Sequence, residues 1–245
     1  MARIHDTTMT PTKLELLTAW LPSQPWYRGT GRNPALHRAG GFRLDDPDGE
    51  VGIEVLFVTD SASTIYQVPL SYRGVPLEGA EAELVGTAEH GVLGPRWIYD
   101  GLRDPVAVAQ LLALVSGDVV AQHQSVSDTP DPSVTRTFHL SGSLAPTARG
   151  GDDAAAPTPQ VVGDGEARTT IAVELAGGGA SPELLALHVL RVLSADDDGA
   201  GRAPEADGDG TGQIVGTVDA EVRPPDRAPV RRRVVVLERG AAAAR

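Results

Sequence analysis

The chain has 245 residues, a formal net charge of −12 and no cysteine. Its acidic balance argues against a nucleic-acid partner, because proteins that bind phosphate backbones concentrate lysine and arginine. The lack of cysteine excludes disulfides, thiolate metal sites and cysteine nucleophiles. No apolar run approaches the ~20 residues of a membrane helix, and the first residues do not resemble a secretory leader. We therefore expect a cytoplasmic protein without membrane contact.

The first predicted element is a helix close to the start of the chain. Thr10 stands at a capping position and Pro11 at the first helical position, where the missing N–H of proline costs nothing. Three leucines follow at helical spacing, namely Leu14, Leu17 and Leu21. Pro22 is expected to end the helix.

A β-meander is predicted to follow, with strands at residues 41–45, 51–58, 64–70 and 96–99. The first two strands flank Asp46-Pro47-Asp48-Gly49, whose residues are typical of a tight turn, so we expect a hairpin. Pro69 should mark a strand end or edge, because proline cannot donate to a β-ladder. Asp104-Pro105 then opens a second predicted helix, which ends near Gly117.

The rest of the chain is predicted to be mostly strand, at residues 134–144, 168–176, 183–193, 213–223 and 230–238. The pattern over 183–193 fits a helix as well, although alternation favours a strand. Pro224-Pro225-Asp226 should connect the last two strands as a hairpin. The stretches 145–165 and 195–212 are rich in glycine, alanine, proline and aspartate, so we expect mobile, disordered loops there.

Helix, meander and helix in this order indicate an α+β fold. We expect a curved antiparallel sheet packed on the N-terminal helix over residues 1–118. Residues 119–245 are expected to form a mostly antiparallel β region with long loops. The sequence leaves open whether this second part is a separate domain or extends the first sheet.

Several motifs in the first part occur in a familiar order. They are Pro11-Thr12-Lys13-Leu14-Glu15-Leu16-Leu17, Trp20-Leu21-Pro22, Pro25-Trp26-Tyr27, Tyr66-Gln67-Val68-Pro69-Leu70-Ser71-Tyr72-Arg73, Gly86-Thr87-Ala88-Glu89-His90, Gly94-Pro95-Arg96-Trp97 and Tyr99-Asp100-Gly101. Together they resemble the N-terminal cap domain of bacterial maltokinase. The resemblance is closer still to the stand-alone maltokinase N-terminal cap-like proteins, often labelled 1,4-α-glucan branching proteins, and it covers roughly residues 10–117.

In that family, maltokinase transfers a phosphoryl group from ATP to maltose, a reaction on the route between trehalose and α-glucan. The catalytic residues lie in its kinase-like body, not in the cap. This sequence departs from that pattern. Lys13 is its only lysine, and residues 120–245 contain no kinase-like catalytic or metal motif. Arg28-Gly29-Thr30-Gly31-Arg32 stands where a lysine-bearing glycine-rich segment is expected. Since phosphoryl transfer needs a cation on the phosphates and carboxylates for Mg²⁺, we do not carry kinase activity over and expect no cofactor.

The resemblance therefore implies a non-catalytic accessory or interaction module of bacterial α-glucan, glycogen, trehalose and maltose metabolism. Its partner would be an enzyme of that metabolism or a maltodextrin. An alternative is an enzyme of α-glucan metabolism, a transferase in the broad sense. A third possibility is a sugar-kinase component whose ATP-dependent activity needs another chain.

An aromatic group is the first candidate for ligand or partner binding. Trp26, Tyr27 and Arg28 could offer a flat ring and a polar tip to a sugar. The competing interpretation, which we favour, is that the tryptophans pack the first helix onto the sheet.

Polar residues of the cap-like motifs form the second candidate, a groove for a ligand or partner. They are Tyr66, Tyr72, Arg73, Glu89, His90 and Asp100. In the enzyme alternative, the last three would surround Tyr72 and Arg73. A lone histidine beside a glutamate is more often a structural hydrogen bond than an acid–base pair, and no nucleophile is evident. We therefore assign no catalytic residue.

Metal binding is not expected from the acidic string that begins at Asp207. Asp207 and Asp209 imitate the start of a calcium loop, but Val218 stands where the closing glutamate is required. Arg231-Arg232-Arg233 is a basic run within a predicted strand, where exposed cations usually discourage edge-to-edge pairing.

Overall fold

The computed structural model describes residues 9–146, 159–176, 183–193 and 212–240. Two α-helices lie in this part of the chain, α1 at Lys13–Trp20 and α2 at Pro105–Ser116. The strands are β1 Met9–Thr10, β2 His37–Leu44, β3 Gly52–Thr59, β4 Ile65–Arg73, β5 Leu84–His90, β6 Gly94–Asp100, β7 Thr135–Phe138, β8 Ser143–Pro146, β9 Val161–Asp164, β10 Arg168–Ala176, β11 Glu183–Leu190, β12 Val192–Leu193, β13 Gln213–Val222 and β14 Val230–Arg239.

The strands form two seven-stranded antiparallel sheets. The first has the order β1-β5-β6-β4-β3-β2, with β12 beside β4. The second has the order β7-β13-β14-β11-β10-β8, with β9 beside β10. The α+β description therefore holds in part: helices flank the first meander, but the described residues are mostly antiparallel β.

Helix α1 begins later than the sequence analysis expected. Its N-cap is Thr12, not Thr10, because Thr12 and Glu15 form a capping box. The Thr12 backbone N–H donates to Glu15 Oε2 at 2.7 Å, and the Glu15 N–H donates to Thr12 Oγ1 at 3.3 Å. The two hydrogen bonds satisfy the backbone N–H groups of Thr12 and Glu15 at the start of the helix. Thr10 lies in strand β1 and does not cap the helix.

The β2–β3 hairpin, strand β6 and the start of β4 agree with their predictions. Strand β4, however, continues through Pro69 to Arg73, so Pro69 does not end it. The proline pairs with Val55 of β3 on one side. On the other side it lies between the segments of β4 that pair with β12 and with β6. Proline is tolerated at this position because no residue pairs with it on that side, so no hydrogen bond of the ladder depends on an N–H that proline lacks.

Strand β5 was not predicted. A register shift between Leu84 and Gly86 breaks its alternation, so that its buried residues, Val85 and Ala88, are three positions apart. A search for period-two hydrophobicity therefore misses it.

Helix α2 has the predicted ends, with the Asp104 side chain capping its first turn and Gly117 in a left-handed conformation after its last. Its buried side chains include Val108, Leu111 and Val115. They belong to one hydrophobic cluster with residues of both sheets. A smaller cluster lies between α1 and the first sheet. The two sheets and α2 thus share a continuous core.

In the second part of the chain, β10, β13 and β14 match their predicted ranges closely, and residues 183–193 are strand, as alternation favoured. The predicted strand at 134–144 is instead divided into β7 and β8, with Gly142 at φ 135° between them. The predicted loop at 145–165 was partly wrong, because β8 and β9 pair with β10 at its two ends. Residues 147–158 of that loop, and 195–211 of the second, lie outside the described residues.

The second part contributes to the first sheet through β12, whose Val192 and Leu193 pair with Tyr66 and Ile65 of β4. Whether the chain divides at residue 118 into a cap-like part and a C-terminal part stays a prediction. The pairing of β12 shows that the strands after this point do not all belong to one sheet.

Arg191, between β11 and β12, joins the two sheets through its side chain. This side chain is fully buried and donates to the Asp100 carboxylate at the end of β6 and, at 2.8 Å, to Thr169 Oγ1 in β10. Its guanidinium carbon lies 5.0 Å from the ring centroid of Trp26. Ion pair, hydrogen bond and cation–π contact together compensate the burial of the arginine charge.

Replacing Arg191 by methionine is expected to lower the free energy of unfolding by about 3–5 kcal/mol, because it leaves the buried Asp100 carboxylate without its cation. Urea unfolding measures the loss. Arg223→Met is the matched control, since Arg223 is exposed and its ion pair among the described residues is with Glu221, two positions earlier in the chain. Its cost should stay within about 1 kcal/mol. Equal effects of the two substitutions would show that Arg191 does not join the sheets.

Candidate functional site

The only lysine of the sequence is engaged in an ion pair. Lys13 in α1 donates to Oε2 of Glu54, a buried residue of β3. Glu54 also accepts hydrogen bonds of 2.9 Å from the Tyr72 hydroxyl and from Gln124 Nε2. The Lys13 ammonium lies 5.4 Å from the centroid of the Tyr72 ring. This cluster connects the first helix to the sheet and leaves the lysine occupied.

Burial and charge oppose each other at Glu54. Burial raises the pKa of its carboxyl, but the charge and hydrogen bond of Lys13, the Tyr72 hydroxyl and the charge of Arg38 outweigh it, so the pKa is lowered. Burial and the neighbouring Glu54 raise the pKa of Tyr72 well above its ordinary value. Tyr72 is therefore a protonated hydrogen-bond donor at neutral pH.

Arg73 is engaged in a second ion pair. Its Nε donates to Asp104 Oδ2 at 2.6 Å and its Nη2 to Oδ1 at 2.7 Å, a bidentate geometry. The hydrogen bonds to Asp104 are the main reason why the pKa of Arg73 is raised. Asp104 is fully buried and also accepts from the Val106 N–H at the start of α2. Arg73 thus holds the end of the first sheet to the second helix.

The aromatic candidates lie mostly in the core. Trp26 is 1% exposed, and its ring contacts Trp20 and Tyr66 with centroid separations of 5.8 and 6.1 Å. Tyr27 is half-buried against Tyr66, and the Arg28 side chain is exposed. A sugar therefore cannot stack on Trp26, and the packing interpretation of this tryptophan agrees with the structure.

Tyr66 connects this aromatic cluster to the turn between β3 and β4. Its hydroxyl donates to Asp60 Oδ2 at 3.0 Å and accepts from the Arg28 N–H at 3.2 Å. Burial raises the pKa of Tyr66 to about 12, and the Asp60 charge adds to the increase.

The remaining polar candidates do not come together. Glu89 and His90 lie at the tip of the β5–β6 hairpin, where His90 Nδ1 accepts from the Leu93 N–H at 3.1 Å. Asp100 lies at the other end of the seven-residue strand β6. That separation is about 20 Å at the rise of a β-strand. Tyr72 and Arg73 are successive residues of β4, engaged with Glu54 and Asp104. The structure thus distributes the predicted groove residues over several places.

A cavity of about 260 Å³ lies between the β3–β4 turn and the β13–β14 hairpin. We call it the seam pocket. Its charged and titratable lining residues are His37, Asp60, Asp226, Arg227 and Arg232. Hydroxyl groups come from Thr59, Ser61 and Ser63, and apolar surface from Ile65, Pro224, Pro225 and Val230.

Both walls of the seam pocket are held by local hydrogen bonds. On one side, Asp60 Oδ1 accepts from the backbone N–H groups of Ala62 and Thr64 at 2.9 Å each, and Ser63 has a left-handed φ of 63°. On the other side, the Arg223 N–H donates to the Ala39 carbonyl at 2.7 Å, which attaches the hairpin to β2. Contacts within the protein therefore hold both walls of the pocket.

Sequence reasoning did not find this pocket. Asp60 to Thr64 form a polar turn between two strands, and Pro224-Pro225-Asp226 was recognised only as a hairpin connection. The two segments are about 160 residues apart in the chain, so no local motif unites them. Arg232 belongs to the basic run, and its strand β14 lies between β13 and β11, not at the edge of the sheet.

Residues 20–104 match the family model of the maltokinase N-terminal cap domain. This match confirms the resemblance seen in the sequence over most of its range. It covers the first sheet from β2 to β6, together with one wall of the seam pocket. The other wall, residues 224–232, lies outside the match.

The described residues lack two kinds of feature. None of the helices there is long and apolar enough to cross a membrane. Histidine, aspartate and glutamate side chains in the same ranges form no group of three or more that could hold a metal ion. The calcium-like string beginning at Asp207 lies outside the described residues up to position 211.

Lys13→Met is expected to destabilise the protein by roughly 1–2 kcal/mol at pH 7, because it removes the cation beside a buried carboxylate while the lysine itself is partly exposed. Because the pKa of Glu54 is lowered in the folded state, its ionised carboxylate stabilises the protein at pH values above the ordinary glutamate pKa. This stabilisation is lost as the pH falls through the pKa that Glu54 has in the folded protein. In the variant, only the Tyr72 hydrogen bond and the Arg38 charge remain to lower that pKa against the effect of burial. The difference from wild type should therefore shrink below about pH 4.

Urea midpoints at neutral and acidic pH measure this difference. Arg38→Met is the control, since Arg38 is more exposed and lies 3.9 Å from Glu54, and it should change stability by less than about 0.5 kcal/mol. A Lys13→Met effect that does not depend on pH would contradict the assignment.

Proposed function

We propose that this protein is a binding module of maltose and α-glucan metabolism that carries no phosphoryl-transfer centre of its own. The match of residues 20–104 to the maltokinase N-terminal cap domain supports the metabolic link. Its ligand in this proposal is a maltodextrin, its partner is an enzyme that acts on maltodextrins, and the cytoplasm is the expected location.

The pairing of Lys13 with Glu54 is the observation that carries this proposal. A kinase needs a lysine or an equivalent cation free to contact the phosphates of ATP. Here the single lysine of the chain lies against a carboxylate that three further side chains also contact or approach. Moving it to a phosphate would leave Glu54 buried without its main counterion, which is costly.

Arg73 and Asp100, two further charged residues of the cap-like part, are also engaged. Arg73 is bound to Asp104 in bidentate geometry, and Asp100 is the counterion of Arg191. These carboxylates would have to exchange their cations for Mg²⁺ to act in phosphoryl transfer. Their pairing instead supports a structural role for the charges and a binding role for the surface.

The enzyme alternative required Glu89, His90 and Asp100 around Tyr72 and Arg73. General acid–base catalysis needs its groups within hydrogen-bond reach of one substrate. Glu89 and His90 lie at the tip of the β5–β6 hairpin and Asp100 at the far end of β6, and this separation does not favour that arrangement.

The purified chain is expected to form no maltose phosphate from maltose and ATP, and to give saturable heat on titration with maltoheptaose but none with ATP. Coupled ADP release and isothermal titration measure these outcomes. A bona fide maltokinase in the same buffer is the positive control for the assay. Turnover of maltose by the purified chain would contradict the proposal, and so would the absence of any heat with the glucan.

A further inference from the structure

We propose that the seam pocket binds one pyranose ring of a neutral sugar, in the first instance the terminal glucosyl unit of a maltodextrin. The choice of a glucosyl unit rests on the proposed function. The choice of a neutral ring rests on the pocket itself, through its size, the balance of its charges and the mixture of its lining groups.

The size of the pocket limits the ligand to about one ring. Pockets for drug-sized ligands range from about 300 to 1,000 Å³. The seam pocket, at about 260 Å³, lies just below this range. A single hexose ring is thus the largest part of a glucan that it can enclose, and further units would extend into solvent.

The charges that line the pocket balance one another. Asp60 and Asp226 supply two carboxylates, and Arg227 and Arg232 supply two guanidinium groups. Sites for phosphate or carboxylate ligands show an excess of cations, because each nearby carboxylate repels the anion. Two carboxylates against two guanidinium groups leave the seam pocket without such an excess, and this favours an uncharged ligand.

A sugar hydroxyl both donates and accepts, so a sugar site needs both kinds of group close together. In the seam pocket the exposed Arg227 guanidinium group donates, the carboxylates accept, and the hydroxyls of Ser61 and Ser63 do either. Asp60 has acceptor capacity left, because its carboxylate offers about four lone-pair positions and receives three hydrogen bonds within the protein.

A pyranose ring also presents C–H groups, which need apolar surface. The seam pocket supplies such surface from apolar side chains. Ile65, Val230 and the two prolines at 224 and 225 provide surface for those groups. Ligand sites typically combine such apolar surface with a few placed polar groups.

The pocket is also rigid enough for its polar groups to be in place. Asp60 fixes the β3–β4 turn, and consecutive prolines restrict the β13–β14 turn. Ordering of loops on binding reduces affinity, so a preformed pocket retains more of the interaction energy.

A matched pair of substitutions in one turn tests the proposal. Ser61 lines the pocket, whereas Ala62, the next residue of the same exposed turn, does not. Ser61→Tyr should fill the pocket mouth and weaken maltotriose binding by at least about tenfold, which corresponds to 1.4 kcal/mol. Ala62→Tyr adds the same ring to the same turn and should leave the dissociation constant within about twofold.

A second pair keeps the test valid if Ser61→Tyr does not fold, which thermal melting would reveal. Arg227→Ala removes an exposed guanidinium group of the pocket and should weaken maltotriose binding by about tenfold. Arg223→Ala removes another guanidinium group of the same hairpin. This group pairs with Glu221 and does not line the pocket. The substitution should have no measurable effect on binding.

Isothermal titration of the full chain with maltotriose, glucose and inorganic phosphate separates the outcomes. Equal binding by wild type, Ser61→Tyr and Arg227→Ala would overturn the pocket assignment while the proposed function stands. Failure of the wild type to bind maltotriose or glucose would overturn the pocket assignment. If the wild type also failed to bind maltoheptaose, the proposed function would be overturned as well. Phosphate binding that Arg227→Ala abolishes and maltotriose does not displace would overturn the neutral-sugar assignment.

Discussion

A fully buried arginine determines how the two sheets of this protein meet. Arg191 carries its charge into the interior, and the Asp100 carboxylate, the Thr169 hydroxyl and the Trp26 ring surround it with partners from both sheets. A buried charge is tolerated only with such compensation, so this contact restricts the relative position of the sheets. Strand β12, which follows Arg191, then joins the first sheet beside β4.

The seam pocket lies between the same two sheets. Its two walls belong to different sheets and different halves of the sequence. The wall from the β3–β4 turn falls within the maltokinase cap match, whereas the wall from the β13–β14 hairpin does not. A pocket of this kind belongs to the combination of a cap-like sheet with the sheet that follows it.

Local chemistry made much of the fold predictable. Asp104-Pro105 and Gly117 mark the ends of α2 because capping and left-handed glycine are local effects. Strand β5 was missed because a register shift removes its alternation. Part of β8 was missed because its partner β10 is well separated from it in the sequence, and β9 because it ends a stretch whose composition is typical of a loop. The candidate site was less predictable. Tyr66 and Asp100 were recognised as notable polar residues, but the carboxylate or arginine that faces each one is set by tertiary packing.

Native-state hydrogen exchange of the full chain tests most directly whether the two sheets form one cooperative structure around Arg191. The Gln67 amide of β4, which donates to the Arg191 carbonyl, and the Val235 and Leu237 amides in β14 are suitable probes. The account predicts that these amides open with the same free energy, because both sheets share one core. Protection of the first sheet that persists while the second opens would contradict it.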